Sequence, residues 1–164
     1  MAAKYLSFPV ATIVDSGTET IIITGNNVTA QTATSMTDTT VNFVTLGVQV
    51  GDRVTDTANS DTALVTAVTA TVLTIDTNIF TAALETYSIT ALGSSLYDTG
   101  QNFLTTVSPG DVVYNSGTAG TARVVSIVND SRLTLSADIM TIGDTYNVLD
   151  ELTSSEVLCS LSEL

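Results

Sequence analysis

Gly47-Val48-Gln49-Val50-Gly51-Asp52-Arg53-Val54 is the stretch from which the rest of this chain can be interpreted. Valines at alternate positions are typical of a strand with one buried face. Gly51-Asp52 supplies turn residues between two such runs. The stretch therefore predicts a strand, a tight turn and a second strand. The same arrangement returns further along the chain as Val107-Ser108-Pro109-Gly110-Asp111-Val112-Val113.

These two turns belong to a longer pattern that occurs twice, in units 38-89 and 97-148. In each unit Asn-Phe comes before the Gly-Asp turn. An Ala-x-Val segment and a Leu-Thr-Leu/Ile segment, each predicted as a strand, follow the turn, and Tyr-x-Ile/Val ends the unit. The matches fall at turns and at positions expected to be buried, whereas the loops differ, as in a duplicated fold. Short strands in so small a unit bury both faces best by curling into a barrel.

The expected fold is therefore all-β, with two tandem small β-barrel, SH3-like or sandwich units. Residues 1-37 form an N-terminal β segment or arm in this prediction. Its best predicted strand contains Ile21-Ile22-Ile23, whereas Asp15-Ser16-Gly17 has turn chemistry and 34-37 is interpreted as a polar connector. Pro9 confines the first residues to an edge strand or to an arm that lies on a neighbouring subunit.

Residues 149-164 form a C-terminal arm or a short helix, because leucines at helix-compatible spacing alternate with serines that are mediocre helix formers. An apolar face on a terminal segment needs a partner, so we expect a homo-oligomer or an assembly with other proteins. The candidate inter-subunit contacts lie at both ends of the chain and are Tyr5, Leu6, Phe8, Val157, Leu158 and Leu161.

Charge excludes several classes of partner. The chain has 17 acidic and 4 basic residues, and its net charge is −13. Binding to nucleic acid or to an anionic membrane surface requires clustered cations, so neither is expected. No apolar run approaches the roughly 18 residues of a membrane span. The opening Met1-Ala2-Ala3-Lys4-Tyr5 lacks the apolar core of a signal peptide, so we expect the chain to be made in the cytoplasm.

We predict no catalytic residue, no cofactor and no metal. The sequence has no His, which removes the commonest general base and metal ligand and leaves no imidazole to activate the many hydroxyl groups. Asp52 and Asp111 are a carboxylate pair, cation ligands or caps of tight turns, and turn statistics favour the caps. Gly51, Asp52, Gly110 and Asp111 are accordingly predicted as structural turn residues.

Two further polar features have alternative interpretations. The loop 56-61 offers alternating oxygen ligands but lacks the glycine and glutamate of a helix-loop-helix calcium site, and the matching loop 115-120 contains no carboxylate. A solvated loop is therefore favoured over a weak cation site. Arg53 and Arg123 either pair with nearby carboxylates or anchor a contact with another subunit.

The repeated pattern resembles units found in virion structural proteins of tailed bacteriophages. It consists of Asn-Phe, Gly-Val-x-x-Gly-Asp-x-Val, a variable loop, Ala-x-Val-x-x-Val, Leu-Thr-Leu/Ile, Ile-Phe/Met and Tyr-x-Ile/Val. The opening Lys4-Tyr5-Leu6-Ser7-Phe8-Pro9-Val10 is similar to the starts of small marine phage structural proteins. The second unit departs from the pattern with Pro109 and with one residue fewer before Gly110, so its first hairpin is expected to differ.

The resemblance implies a non-enzymatic, many-copy coat component located in the virion. A capsid decoration (cement) protein, which binds the coat lattice through terminal arms and stabilises it, fits this description best. Its partners would be the major capsid protein or other virion proteins. The resemblance supplies no catalytic residue.

Three other functions are considered. A tail, neck or fibre component of the same particle would form stacked rings or trimers. A carbohydrate-binding β module would need exposed aromatic side chains, but the 4 Phe and 5 Tyr fall mostly at positions expected to be buried, and Trp is absent. A glycan lyase or hydrolase would need paired carboxylates in a cleft. The duplicated unit offers only turn aspartates, so the enzyme is disfavoured.

Overall fold

The computed structural model describes residues 11-150, and it consists of thirteen strands and one short helix. In chain order these elements are β1 (Ile13–Thr18), β2 (Ile23–Gly25), β3 (Ala30–Thr32), β4 (Ser35–Thr37), β5 (Arg53–Asp56), β6 (Thr62–Val68), β7 (Val72–Ile75), β8 (Tyr87–Thr90), β9 (Ser95–Tyr97), α1 (Phe103–Thr106), β10 (Val112–Asn115), β11 (Thr121–Asn129), β12 (Arg132–Leu135) and β13 (Thr145–Leu149). No helix within residues 11-150 is long and apolar enough to span a membrane.

The strands form two curled antiparallel sheets, which confirms the all-β prediction. The seven-stranded sheet has the order β2-β8-β5-β6-β7-β4-β3, and the six-stranded sheet has the order β1-β13-β10-β11-β12-β9. The blocks β8-β5-β6-β7-β4 and β13-β10-β11-β12-β9 have the same order. Each block begins in the chain with a three-residue strand, β4 or β9, that lies at or just before the start of the predicted unit.

The segment before the first block divides between the two sheets. β1 pairs with β13 in one sheet, and β2 pairs with β8 in the other. Prediction of a turn at Asp15-Ser16-Gly17 was wrong, because these residues lie inside β1. Distant residues satisfy the backbone of this strand. The Gln101 side chain donates to Ser16 O at 2.9 Å, and β13 pairs with β1 along its length. The predicted polar connector 34-37 likewise contains β4, which pairs with β7.

The predicted first hairpin was also wrong in part, because 43-52 forms two successive turns and only Arg53–Asp56 is a strand. Phe43 O accepts a hydrogen bond from Val48 N at 3.0 Å, and Asp52 Oδ2 accepts one from Gln49 N at 2.7 Å. These local bonds satisfy the polar backbone groups that a strand would have paired with a neighbour. Val48 is buried and Val50 is exposed, so the two valines do not share one face as residues two positions apart in a strand would.

The second unit differs here, as Pro109 and the missing residue predicted. Its first segment is the helix α1, and Phe103 O accepts from Val107 N at 3.1 Å. The loop closed by this bond is one residue shorter than the Phe43–Val48 loop. The extra residue of the first unit is accommodated beside Gly47, whose φ of 80° is in the left-handed region that favours glycine.

Each sheet encloses its own apolar core, with an aromatic pair at equivalent positions. The rings of Phe43 and Tyr87 lie 6.4 Å apart in the first core, and those of Phe103 and Tyr146 lie 6.3 Å apart in the second. Tyr97 crosses this division: it belongs to β9 of the six-stranded sheet but packs into the first core. The two sheets therefore share buried surface.

Gly25 leaves room for the Tyr87 ring, and we expect Gly25→Ala to lower the free energy of unfolding by about 1–3 kcal/mol. A Cβ at this position would lie 2.3 Å from Tyr87 Cζ. The ring cannot easily move, because it is fully buried and its hydroxyl is bonded to Asp38. Urea denaturation measures the loss. Thr24→Ala, on the exposed face of the same strand, is the matched control, and an equal loss in both variants would contradict the packing explanation.

Candidate functional site at the junction of the two units

The four predicted turn residues occupy equivalent turns, one in each unit. Gly51 and Gly110 have φ values of 96° and 105°, which glycine adopts without strain. Asp52 accepts from Gln49 N, and Asp111 accepts from Ser108 N at 2.8 Å. Both carboxylates therefore cap their own turns, as the sequence favoured, and each lies in a different unit.

Asp52 has a second role that the sequence did not reveal, because it binds Arg132 of the other unit. Arg132 Nη1 lies 2.6 Å from Asp52 Oδ2, and Nη2 lies 2.8 Å from Oδ1, so the ion pair is bidentate. The two side chains are 2% and 1% exposed. The guanidinium also donates to Gly47 O at 2.8 Å and to Ser95 Oγ at 3.0 Å. Such a pair loses much solvation and keeps its partners in one geometry.

Two hydrogen bonds between uncharged groups also join the two units near Arg132. The Tyr97 hydroxyl donates to Leu46 O at 3.0 Å, and Asn129 Nδ2 lies 3.4 Å from Thr45 O. Burial, more than the opposing effects of Arg132 and Asp52, raises the pKa of Tyr97, so its hydroxyl stays a donor. The turn of the first unit that contains the extra residue is therefore the turn that the second unit contacts.

Other buried carboxylates stabilise the individual units. Tyr87 donates to Asp38 Oδ2 at 2.8 Å, and Tyr146 donates to Asp98 Oδ2 at 3.0 Å. Burial in the first place, and the adjacent carboxylate in the second, raise the pKa of each tyrosine well above its ordinary value. Both phenols therefore remain protonated hydrogen-bond donors.

In the loop 56-61 the Asp56 carboxylate makes hydrogen bonds within the loop. Asp56 is buried, and its oxygens accept from Ala58 N and Asn59 Nδ2, both at 2.8 Å. Asn115 makes the equivalent bond, accepting from Gly117 N at 2.8 Å. Within residues 11-150 no group of three or more Cys, Asp or Glu side chains is arranged to hold a metal ion. This loop is a turn in both units.

A pocket of about 260 Å³ opens where the units meet, and we call it the junction pocket. Its lining combines Glu19, from the connection between β1 and β2, with residues of both units. The full lining is Glu19, Arg53, Thr90, Ala91, Leu92, Gly93, Asp138, Met140, Thr141 and Ile142.

Glu19 is the unusual group of the junction pocket. Its side chain is 4% exposed, and its Oε2 atom is buried without a hydrogen-bond partner among the described residues. Two backbone bonds fix its position: Glu19 N donates to Asp144 O at 2.9 Å, and Gly143 N donates to Glu19 O at 3.0 Å. A buried carboxyl without donors is costly to ionise.

Burial raises the pKa of Glu19 to about 8, with repulsion from Asp144 and Asp138 adding to the rise and attraction to Arg132 opposing it. The carboxyl is therefore mostly protonated at neutral pH. Raised carboxyl pKa values in pockets are typical of functional groups as well as of buried structural ones. The sequence carried no signal for Glu19, because the residues that bury it come from distant parts of the chain.

The remaining predicted residues divide into two groups. Arg53 is exposed at the junction pocket and has no ion pair among the described residues, whereas Arg123 donates to Gly110 O at 2.8 Å within its own unit. The six predicted inter-subunit contacts lie outside the described residues, and they are Tyr5, Leu6, Phe8, Val157, Leu158 and Leu161.

Comparison of the chain with protein-family models, with curated proteins and with solved structures gave no match.

Proposed function

We propose that this chain is a non-enzymatic virion structural protein of a bacteriophage, and specifically a capsid decoration protein that stabilises the coat lattice. The observation that carries the proposal is the buried connection between the two equivalent β units. Arg132 of one unit and Asp52 of the other form a fully buried bidentate pair, and the β1–β2 segment contributes a strand to each sheet. A protein that bridges neighbouring coat subunits needs two contact surfaces at a constant separation.

The two units also present the same kind of contact. Val44 and Leu104 directly follow the equivalent Phe43 and Phe103, and they are 58% and 59% exposed. Apolar side chains repeated at equivalent exposed positions suit a partner that is itself repetitive, such as a coat lattice. Two weak contacts on one rigid body give an avidity far above that of either contact alone.

The surface charge supports the same function. A net charge of −13 keeps free copies apart in solution until they meet a complementary surface. In this proposal the terminal segments, with Tyr5, Leu6 and Phe8 at one end and Val157, Leu158 and Leu161 at the other, contact the major capsid protein or neighbouring copies. Attachment to a tail, neck or fibre would use the same surfaces and is distinguished by its location on the particle.

The carbohydrate-binding alternative finds less support in the described part of the chain. Six of the seven aromatic side chains there are buried and make no platform for a sugar ring, namely Phe43, Phe80, Tyr87, Tyr97, Phe103 and Tyr146. The seventh, Tyr114, is half-buried.

Immunogold electron microscopy of purified virions, with antibodies against the full chain, tests the proposed location. We expect label over the whole shell. Label confined to the tail or fibres would replace decoration by the tail function, and unlabelled virions would overturn a virion function altogether.

A binding measurement tests the repeated contact. The double variant Val44→Asp with Leu104→Asp is expected to weaken co-sedimentation with shells stripped of this protein by at least tenfold. Binding would then bury one charged side chain of each unit against an apolar site. Thr45→Asp with Thr105→Asp adds the same charges at neighbouring exposed positions and is the matched control. Equal binding by the two double variants would exclude Val44 and Leu104 from the contact.

A further inference from the structure

Glu19 points to a ligand because its carboxyl is buried at a pocket instead of within a packed core. In the buried pairs of this fold, Tyr87 with Asp38, Tyr146 with Asp98 and Arg132 with Asp52, each carboxylate has a donor. Glu19 has none among the described residues, although it lines a pocket of about 260 Å³. A hydrogen-bond donor that carries positive charge is the group it lacks.

We propose that the junction pocket binds a primary alkylammonium group, with Glu19 as its counter-ion. Leu92, Met140 and Ile142 supply apolar wall to the same pocket, and this wall suits the methylene chain of an alkylamine. An ammonium carries three donors on a compact charge, which matches one carboxylate at the end of an apolar cleft. The volume accommodates an unbranched chain of a few carbon atoms.

The charges around Glu19 favour a cation. Asp138 lines the same pocket, and Asp144 interacts with Glu19 strongly enough to raise its pKa. Arg132 opposes them, but its Nη1 and Nη2 atoms already form the ion pair with Asp52. Arg53 is the second cation and lies exposed on the pocket lining, where solvent weakens its effect.

Binding is coupled to proton release, because the ammonium pairs with ionised Glu19 and the free pocket holds the protonated acid near neutral pH. The affinity should therefore rise about 50-fold between pH 6 and pH 8 and change little between pH 8 and pH 9. An alkylammonium group itself stays charged over this range, since lysine titrates near about 10.4. A merely surface-bound amine would show no such profile.

The test is calorimetric titration of the full chain with n-butylamine at pH 6, 7, 8 and 9, in buffers of different ionisation enthalpy. We expect a dissociation constant on the order of millimolar at pH 8, as for a ligand with so few atoms, and release of a proton at pH 7. n-Butanol, which has the same chain without the charge, should not bind. Absence of butylamine binding at pH 9, or equal binding of butanol, would overturn the proposal.

Variants locate the site. Glu19→Gln should abolish butylamine binding, whereas Asp61→Asn, an exposed carboxylate in the loop 56-61, should leave it unchanged. Thr141→Trp narrows the pocket from an exposed position and should weaken binding without altering Glu19. Binding that persists in both Glu19→Gln and Thr141→Trp would place the amine elsewhere and refute the assignment.

Two ligands separate the natural sources of the ammonium. Nα-acetyl-lysine methylamide represents the lysine of a partner protein, and n-butylamine represents a free amine. Glu19-dependent binding of the lysine amide identifies the pocket as a receptor for a partner's lysine. Binding of butylamine alone restricts it to free amines. Neither outcome depends on a virion function, so this test and the electron microscopy can fail independently.

Discussion

Arg132→Met is expected to lower the free energy of unfolding by about 3–5 kcal/mol, the largest effect among the substitutions considered. Methionine fills much of the same volume but leaves the Asp52 carboxylate buried without its cation, and an uncompensated buried charge is strongly destabilising. Gly47 O and Ser95 Oγ lose their donor at the same time. Urea denaturation followed by circular dichroism measures the change.

Arg53→Met is the matched control, because it removes an exposed guanidinium without an ion pair among the described residues; it should change stability by less than about 0.5 kcal/mol. The double variant Arg132→Met with Asp52→Asn separates charge from packing. It removes the uncompensated charge while the amide oxygen can still accept from Gln49 N. We expect it to recover a substantial part of the loss. A loss below about 1 kcal/mol in Arg132→Met would show that the pair does not hold the units together.

Glu19→Gln is expected to raise the free energy of unfolding at pH 7 by about 3 kcal/mol. The wild-type carboxyl has a pKa of about 8 in the folded chain, against its ordinary value of 4.5. At pH 7 unfolding therefore lets Glu19 release a proton, and this release favours the unfolded state. Glutamine resembles the protonated acid in size and cannot ionise, so the variant lacks the penalty.

The pH dependence of the free energy of unfolding tests independently whether Glu19 ionisation destabilises the folded chain. Below pH 4.5 Glu19 is protonated in both states, and its contribution to stability is complete. Between pH 4.5 and pH 8 that contribution is progressively lost as pH rises, and above pH 8 the loss is constant. Wild type and Glu19→Gln should therefore have similar stability at pH 4 and diverge as pH rises. Urea denaturation at pH 4, 5.5, 7 and 8.5 measures this.

Asp61→Asn serves again as the control, because it removes an exposed carboxylate outside the junction pocket, and it should produce no such divergence. A variant Glu19→Gln that is less stable than wild type at pH 7 would mean that Glu19 is ionised and favourably paired in the folded chain.

These two predictions concern the same part of the molecule. Arg132 is near enough to Glu19 to lower its pKa, while Asp52 neutralises the guanidinium. Ionisation of Glu19 thus places a second negative group beside the junction. A cation in the junction pocket would relieve that repulsion, so the units should be most firmly joined when the pocket is occupied or Glu19 is protonated.

The chain's local sequence was enough to determine the fold class and several of its strands. Alternating apolar residues predicted strands where β6, β7, β11 and β12 are found, because a side-chain period of two is a property of each strand alone. The turns at Gly51 and Gly110 were also predictable, since a positive φ restricts the residue type at one position. These features depend on a few adjacent residues.

Tertiary structure alone decided the rest. Asp15-Ser16-Gly17 is a strand because β13 and Gln101 satisfy its backbone, although its residues favour a turn. Val48 and Val50 occupy alternate positions but form no strand, because the backbone N–H groups of this segment donate to Phe43 O and to the Asp52 side chain within local turns.

The candidate site shows the same division between local and distant causes. Asp52 was predictable as a turn residue, but its partner Arg132 is 80 positions away, and the charges that raise the pKa of Glu19 come from Asp144 and Asp138. Burial and charge at a point depend on every group that folding brings near it. Residue type and local spacing determine the propensity of each segment; only the folded chain determines which distant charges meet.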